Sequence, residues 1–207
     1  MNAPPPVVLE TPAVDGRAAR SAKTRDAIAD ALLDLLADGR PRPTAREIAE
    51  RAAVSVRSVY VHFDDLEDLF CVAAKRHFAR VAPILAPAPA TGTLAERADA
   101  LVRQRIRLYA QAGAVARATR LHAAFSPTLA RILREAQTRS RTDLERLFAN
   151  ELHTLSPADR TSTLAVLDVL TGPDAWETFR ERYDIDDETA IRRVIDSIVL
   201  HLRAARA

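Results

Sequence analysis

Apolar residues recur at intervals of three and four along most of the chain, and no stretch alternates with a period of two. That periodicity predicts amphipathic helices and no sheet. Ile28, Leu32, Leu35 and Leu36 form one stripe, which predicts a helix from Ser21 to Asp38 with Gly39 as its terminating residue. Pro41 and Pro43 keep the following linker extended. Thr44 with Glu47 three residues on predicts a capping box, and Ile48, Ala49 and Ala52 then repeat at helical spacing. Ala53-Val54 makes a break, and Ser55 caps a short third helix. In that helix Val59 and Phe63 face inward, while Arg57, Ser58, Tyr60, Val61 and His62 face outward. A fourth helix opens at Asp64-Asp65, where acids suit the helix dipole, and runs to about Arg80.

Pro83, Pro87 and Pro89 with Gly92 then interrupt the pattern. Beyond them the spacing predicts a helix over 94–111, a short one over 114–124, and a long one opened by Ser126-Pro127 and ending near His153. Ser156-Pro157 opens another, ending near Leu170, and Thr171-Gly172-Pro173 breaks it. A short piece from Trp176 to Arg182 follows, and Asp186 caps the last helix. The expected fold is all-α. Residues 1–20 form a basic, Pro-rich disordered arm, 21–68 a three-helix helix-turn-helix head, and 69–207 a helical regulatory and dimerisation body.

Composition supports this picture. Hydrophobic residues make up 48% of the 207 positions but aromatics only 5%, and there are 5 glycines, a balance that favours helices over strands. A net charge of +2 says little by itself. Its distribution says more: from Gly16 to Arg25 the charges are Arg17, Arg20, Lys23 and Arg25, with no acid until Asp26, so the arm leading into the head reads as phosphate-binding. Cys71 is the single cysteine, which excludes an intrachain disulfide and suits a reducing cytosol. No apolar run approaches the roughly 20 residues needed to span a bilayer, and the first 15 residues lack the organisation of a signal peptide. A cytoplasmic protein with no membrane partner is expected. His62, His77, His122, His153 and His201 are not paired at metal-ligand spacing, and no phosphate loop or nucleophile motif is present. No cofactor, metal or catalytic activity is therefore expected.

Two short helices joined by a tight turn, the second with a donor-rich outer face, suit the major groove of B-DNA. Arg57 is the candidate for base reading, because its guanidinium pairs bidentately with a guanine edge. Val56 and Val61 offer apolar contact to thymine methyls, and Ser58 reaches a base edge or a phosphate. Ser55 lies at the start of the same helix. Thr44 and Arg46 begin the preceding helix, where free amides also favour a phosphate. Here the segment from Thr24 to Leu69 resembles the DNA-binding domain of TetR-family transcriptional repressors. The likeness rests on Val54-Ser55, on Ser58-Val59-Tyr60-Val61-His62-Phe63, and on the helix start that follows. It implies that Tyr60 and His62 hold phosphates; the basic arm, through Arg17, Arg20 and Lys23, is read from its charge as adding to them. Two departures stand out. Ala53 replaces a usual glycine, and Asp64 and Leu66 stand where the family often carries lysine.

In the body, Phe78, Arg105, Tyr109, His122, Phe125 and Trp176 are candidates for a pocket, which needs apolar walls with a few polar groups. Leu164, Leu167 and Leu170, with Ile191, Val194, Ile195, Ile198, Val199 and Leu202, form two apolar stripes. The resemblance implies a homodimer joined by these two helices as a four-helix bundle. It also implies a palindromic DNA operator and release by a small-molecule effector, so that the chain would act as a ligand-responsive repressor. A helix-turn-helix architectural protein without an effector is the alternative, and a helical enzyme or carrier with a vestigial head is a second.

Overall fold

The computed structural model describes residues 16–205. Their regular structure is entirely helical, with no strand among them. The chain runs α1 (Gly16–Ala37), α2 (Ala45–Arg51), α3 (Val56–His62), α4 (Leu66–Val81), α5 (Leu94–Ala123), α6 (Pro127–Leu147), α7 (Ala149–Leu152), α8 (Pro157–Leu170), α9 (Pro173–Glu177) and α10 (Asp187–Ala204). Most of the predicted caps form. The hydroxyl or carboxylate of Thr44, Ser55, Ser126, Ser156 and Asp186 each accepts from an amide of the first turn that follows.

Two hydrophobic cores organise these helices. The first gathers Ile28 and Leu32 of α1, Ile48 of α2, Val59 of α3, Phe63 and Leu69, and it is completed by Val115 and Ala118 of α5 with Leu129 and Ile132 of α6. The second joins Leu101 of α5 and Leu144 of α6 to Leu167 of α8 and Ile198 and Leu202 of α10. A buried ion pair crosses the second core. Both terminal nitrogens of Arg97 donate to Glu151, at 2.6 and 3.0 Å, and Nη1 also reaches the Leu147 carbonyl. This bidentate arrangement satisfies two charges that burial would otherwise penalise heavily.

Three boundaries differ from the periodicity reading. α1 begins at Gly16, so residues 16–20, expected in a disordered arm, are helical; Arg17, Ala18, Ala19 and Arg20 are strong helix formers that extend a helix already anchored downstream. Residues 1–15 of that arm lie outside the described residues. The two helices expected over 94–124 are one helix of 30 residues. Gly113 lies in its interior, where it costs about 1 kcal/mol relative to alanine, and buried Ala112, Val115 and Ala118 on either side hold the helix together. The helix expected to reach His153 ends at Leu147, and Phe148 turns inward before the single turn of α7.

The α2–α3 turn carries local strain. α1 and α2 end alike: Arg40 N–H donates to Leu35 O with Gly39 N–H to Leu36 O, and Val54 N–H donates to Ala49 O with Ala53 N–H to Glu50 O. This double closure places its penultimate residue in the left-handed region. Gly39 meets that at φ +79°, but the second site is filled by Ala53 at φ +53°. A Cβ there costs roughly 1–2 kcal/mol, partly offset by the lower entropy of alanine in the unfolded chain. Ala53→Gly should therefore stabilise the protein by about 0.5–1 kcal/mol, a rise in Tm of about 1–4 °C. A calorimetric melt showing no rise, or a fall, would contradict the strained turn.

Candidate nucleic-acid interface

α3 is seven residues long, or about 10 Å at 1.5 Å per residue. It is held by its inner side. Val59 is 1% exposed and Phe63, just past its end, 2% exposed. The opposite face is open: Arg57 is exposed, Val56, Tyr60 and Val61 are among the exposed large apolar side chains of the protein, and Ser58 and His62 are half-buried. Arg57, Tyr60 and Val61 are three and four residues apart, so they project together. Ser55 is occupied as the cap, its hydroxyl accepting from Ser58 N–H at 3.1 Å.

α2 packs against α3 and opens at a strong cap. Thr44 and Glu47 form the reciprocal cap, and the Thr44 amide and hydroxyl each donate to Glu47 at 2.8 Å. The amide first, then the hydroxyl, hold the Glu47 carboxyl below the usual carboxylate range. Arg46 is exposed and its Nε donates to Glu50 at 2.9 Å. Such an exposed pair contributes little, so the guanidinium can exchange Glu50 for a phosphate. Arg17, Arg20 and Lys23 are exposed on the first two turns of α1. They are presented by a helix continuous with the head.

The start of α4 is built for capping. The Asp65 carboxylate accepts from Asp68 N–H at 2.8 Å. Leu66, where a lysine would meet a phosphate, is half-buried against the first core. No cation comes from this turn.

α1 and α4 are joined by charges that the sequence reading did not single out. Arg76 donates through Nε and Nη2 to Asp30, at 2.8 and 3.3 Å, and lies 2.8 Å from Asp26; Arg80 also donates to Asp30. The one signal in the sequence was two acids four apart on one helix and two arginines four apart on another. Which pairs meet depends on how the helices cross.

The six pocket candidates are not brought together. Arg105 and Tyr109 share a polar layer between α5, α6 and α8. Arg105 Nη2 donates to Ser140 Oγ at 3.1 Å, and the Tyr109 hydroxyl donates to the Thr171 carbonyl at 2.5 Å. Burial pushes the Tyr109 hydroxyl up to about 12. His122 lies thirteen residues further along α5, about 20 Å away. It stacks on Phe70 at 4.1 Å between ring centres, and its Nε2 donates to the Pro41 carbonyl at 3.1 Å. Phe78 packs against the first core and Trp176 against the second, while Phe125 is 78% exposed. A hollow of about 450 Å³ lies between the Pro83–Pro89 segment and α5, but none of the six lines it. Helical periodicity placed most of these side chains on helices; it could not say that the length of α5 separates His122 from Arg105 and Tyr109.

The dimer candidates fall into two groups within the chain. Leu164, Leu167, Ile191, Val194, Ile198 and Leu202 are at most 6% exposed within the single chain, because α8 and α10 pack these stripes onto α5 and α6. Leu170, Ile195 and Val199 are half-buried. The outward apolar residues of the same helices are Val166, Val169 and Leu200, with the last two 70% exposed. Among the described residues no helix is long and apolar enough to cross a membrane.

A short helix anchored by its inner side, presenting arginine, tyrosine and small apolar groups after a tight turn, defines a helix-turn-helix DNA-binding protein. Residues 28–71 match the sequence profile described as bacterial regulatory proteins, tetR family. Solved structures of similar fold include a transcriptional regulator from Rhodococcus sp. Rha1, 23% identical, covering 88% of this chain and 98% of its own, with a TM-score of 0.70. Another is a TetR transcription regulator from Haloarcula marismortui, 14% identical, covering 89% and 98%, with a TM-score of 0.62. No curated protein matches the sequence. The head therefore carries the tetR-family profile over residues 28–71, and the chain as a whole shares the fold of these solved regulators.

Proposed function

We propose that this regulator is a repressor that binds a palindromic operator as a homodimer and is released by a small molecule bound in its body. The observation that carries the DNA half of this reading is the open face of α3, with Arg57, Tyr60 and Val61 projecting from a helix whose inner side is pinned at Val59 and Phe63. Arg57 reads a base edge, Val56 and Val61 meet thymine methyls, and Ser58 reaches a base edge or a phosphate. Tyr60, His62, Thr44 and Arg46 position the backbone. Arg17, Arg20 and Lys23 neutralise further phosphates.

Release follows from the shared helix α4. Charges on α4 tie it to α1, so the head and α4 move together. A ligand held in the body biases the position of α4 and thereby the spacing of the two α3 helices. It does so only by binding the non-operator arrangement more tightly.

The two-fold contact is formed by the outer faces of α8 and α10, with Val166, Val169 and Leu200 at its centre and Leu170, Ile195 and Val199 alongside. Val166 lies three and four residues before Val169 and Leu170 on α8, and Ile195 lies four before Val199 on α10, so each helix offers one stripe, with Leu200 flanking the second. Two stripes from each of two copies make a four-helix seam. Val169→Glu combined with Leu200→Glu should give monomers by light scattering and weaken operator binding. Wild type running as a monomer at micromolar concentration, or a double variant that stays dimeric, would sink this interface.

Arg57→Ala should weaken operator binding by about 1–3 kcal/mol and relax preference at one base pair per half-site, with scrambled DNA little affected. Tyr60→Phe should weaken both duplexes about equally. Titrations on the two DNAs decide it, and equal loss on both for Arg57→Ala would remove its base-reading role.

Arg20→Gln with Lys23→Gln should flatten the dependence of log affinity on log salt. Four cations are lost per dimer at about 0.9 each, so the slope should become shallower by roughly two to four. An unchanged slope means that α1 does not touch the duplex.

A further inference from the structure

Of the four cations that precede Asp26, Arg25 is held apart from the others by its contacts. Its Nε donates to the main-chain carbonyl of His62, the last residue of α3, at 3.4 Å. Its guanidinium carbon lies 4.8 Å from the centre of the Phe63 ring. Its Nη2 is 4.0 Å from the carboxylate of Asp68, in the first turn of α4. One side chain of α1 thus meets the end of the recognition helix, the aromatic residue that anchors it, and the helix that follows.

Each contact has a physical reason. The last carbonyls of a helix lack intrahelical partners and carry partial negative charge, which a guanidinium satisfies. A planar cation stacks on an aromatic face. Asp68 supplies the opposite charge at the acidic start of α4. A phosphate would compete with all three contacts for the same group.

We propose that Arg25 is a positioning residue for operator recognition, setting the angle of α3 relative to α1 and α4, and that it does not neutralise a phosphate. The acidic start of α4 is then part of the reading apparatus, because Asp68 completes the clamp. This inference rests on the operator-binding reading above. It concerns how α3 is held, where that reading concerns what α3 touches.

The test compares an operator duplex with a scrambled duplex over a range of salt, using the full chain. Arg25→Lys keeps the positive charge but loses the planar stack and the Nε–H donor. The expected result is that the ratio of operator to scrambled affinity falls on the order of tenfold, the equivalent of about 1.4 kcal/mol. The salt slope should stay as in wild type. Asp68→Asn should lower the same ratio, and the double variant should do little more than either single one, since both remove one clamp. Thermal melts establish that the variants are folded, and a fold lost in one single variant leaves the other to decide. If Arg25 is a phosphate ligand, Arg25→Lys is harmless, and Arg25→Met flattens the slope on both duplexes by about 1.8, two contacts per dimer at about 0.9 each. That result overturns the clamp. A wild type with no preference between the duplexes overturns the operator reading itself, and the clamp with it.

Discussion

A helix of seven residues does not hold its shape in water, because nucleation costs more than so few hydrogen bonds return. Everything this protein presents to a duplex depends on α3 being held from behind. Val59 and Phe63 do this by sinking into the first core, beside Ile28, Leu32 and Ile48. The Ser55 cap supplies one end, and the strained Ala53 turn sets the approach from α2. The outer residues are then free to be polar and exposed, since none of them is needed for packing.

That same core is not confined to the head. Val115 and Ala118 of α5 and Leu129 and Ile132 of α6 close it from the side of the body. His122 adds a polar bridge, stacking on Phe70 of α4 and donating to the Pro41 carbonyl in the linker before α2. Close-packed interiors transmit small shifts, because side chains that interdigitate cannot move one at a time. A change in the packing of α5 or α6 therefore reaches the support of α3 without a separate relay. The ion pairs between Asp26, Asp30, Arg76 and Arg80 act in the same direction by keeping α4 in step with α1.

Charge is distributed with a division of labour. The acids at the start of α4 occupy a turn where the tetR-type head that this chain resembles often carries lysine. In this chain Asp65 closes the helix end and Asp68 faces Arg25. The cations that face outward lie elsewhere, on the first turns of α1 and at Arg46 and Arg57. A net charge of +2 conceals this arrangement, in which position decides more than the total.

The sequence by itself determined the local features. Capping residues, glycine at the end of α1 and the inward pair Val59 and Phe63 are consequences of spacing over a few residues, and local chemistry dictates them. The head and its outward face were legible for the same reason. Only the tertiary structure decided which apolar stripe meets which partner. Leu164, Leu167, Ile191 and Ile198 read as a surface for a second copy, yet they pack inside one chain, because periodicity reports that a face is apolar and not what covers it. It likewise decided that α5 runs unbroken through Gly113, where packing on both sides outweighs a propensity cost of about 1 kcal/mol. The pocket candidates were dispersed over α4, α5, α9 and the turn after α5, with the length of α5 separating His122 from Arg105 and Tyr109. Arg25 looked like its basic neighbours until the crossing of α1 with α3 and α4 set it against a carbonyl, a ring and a carboxylate. Contacts between residues far apart in the chain depend on how helices cross, and no short window of sequence contains that angle.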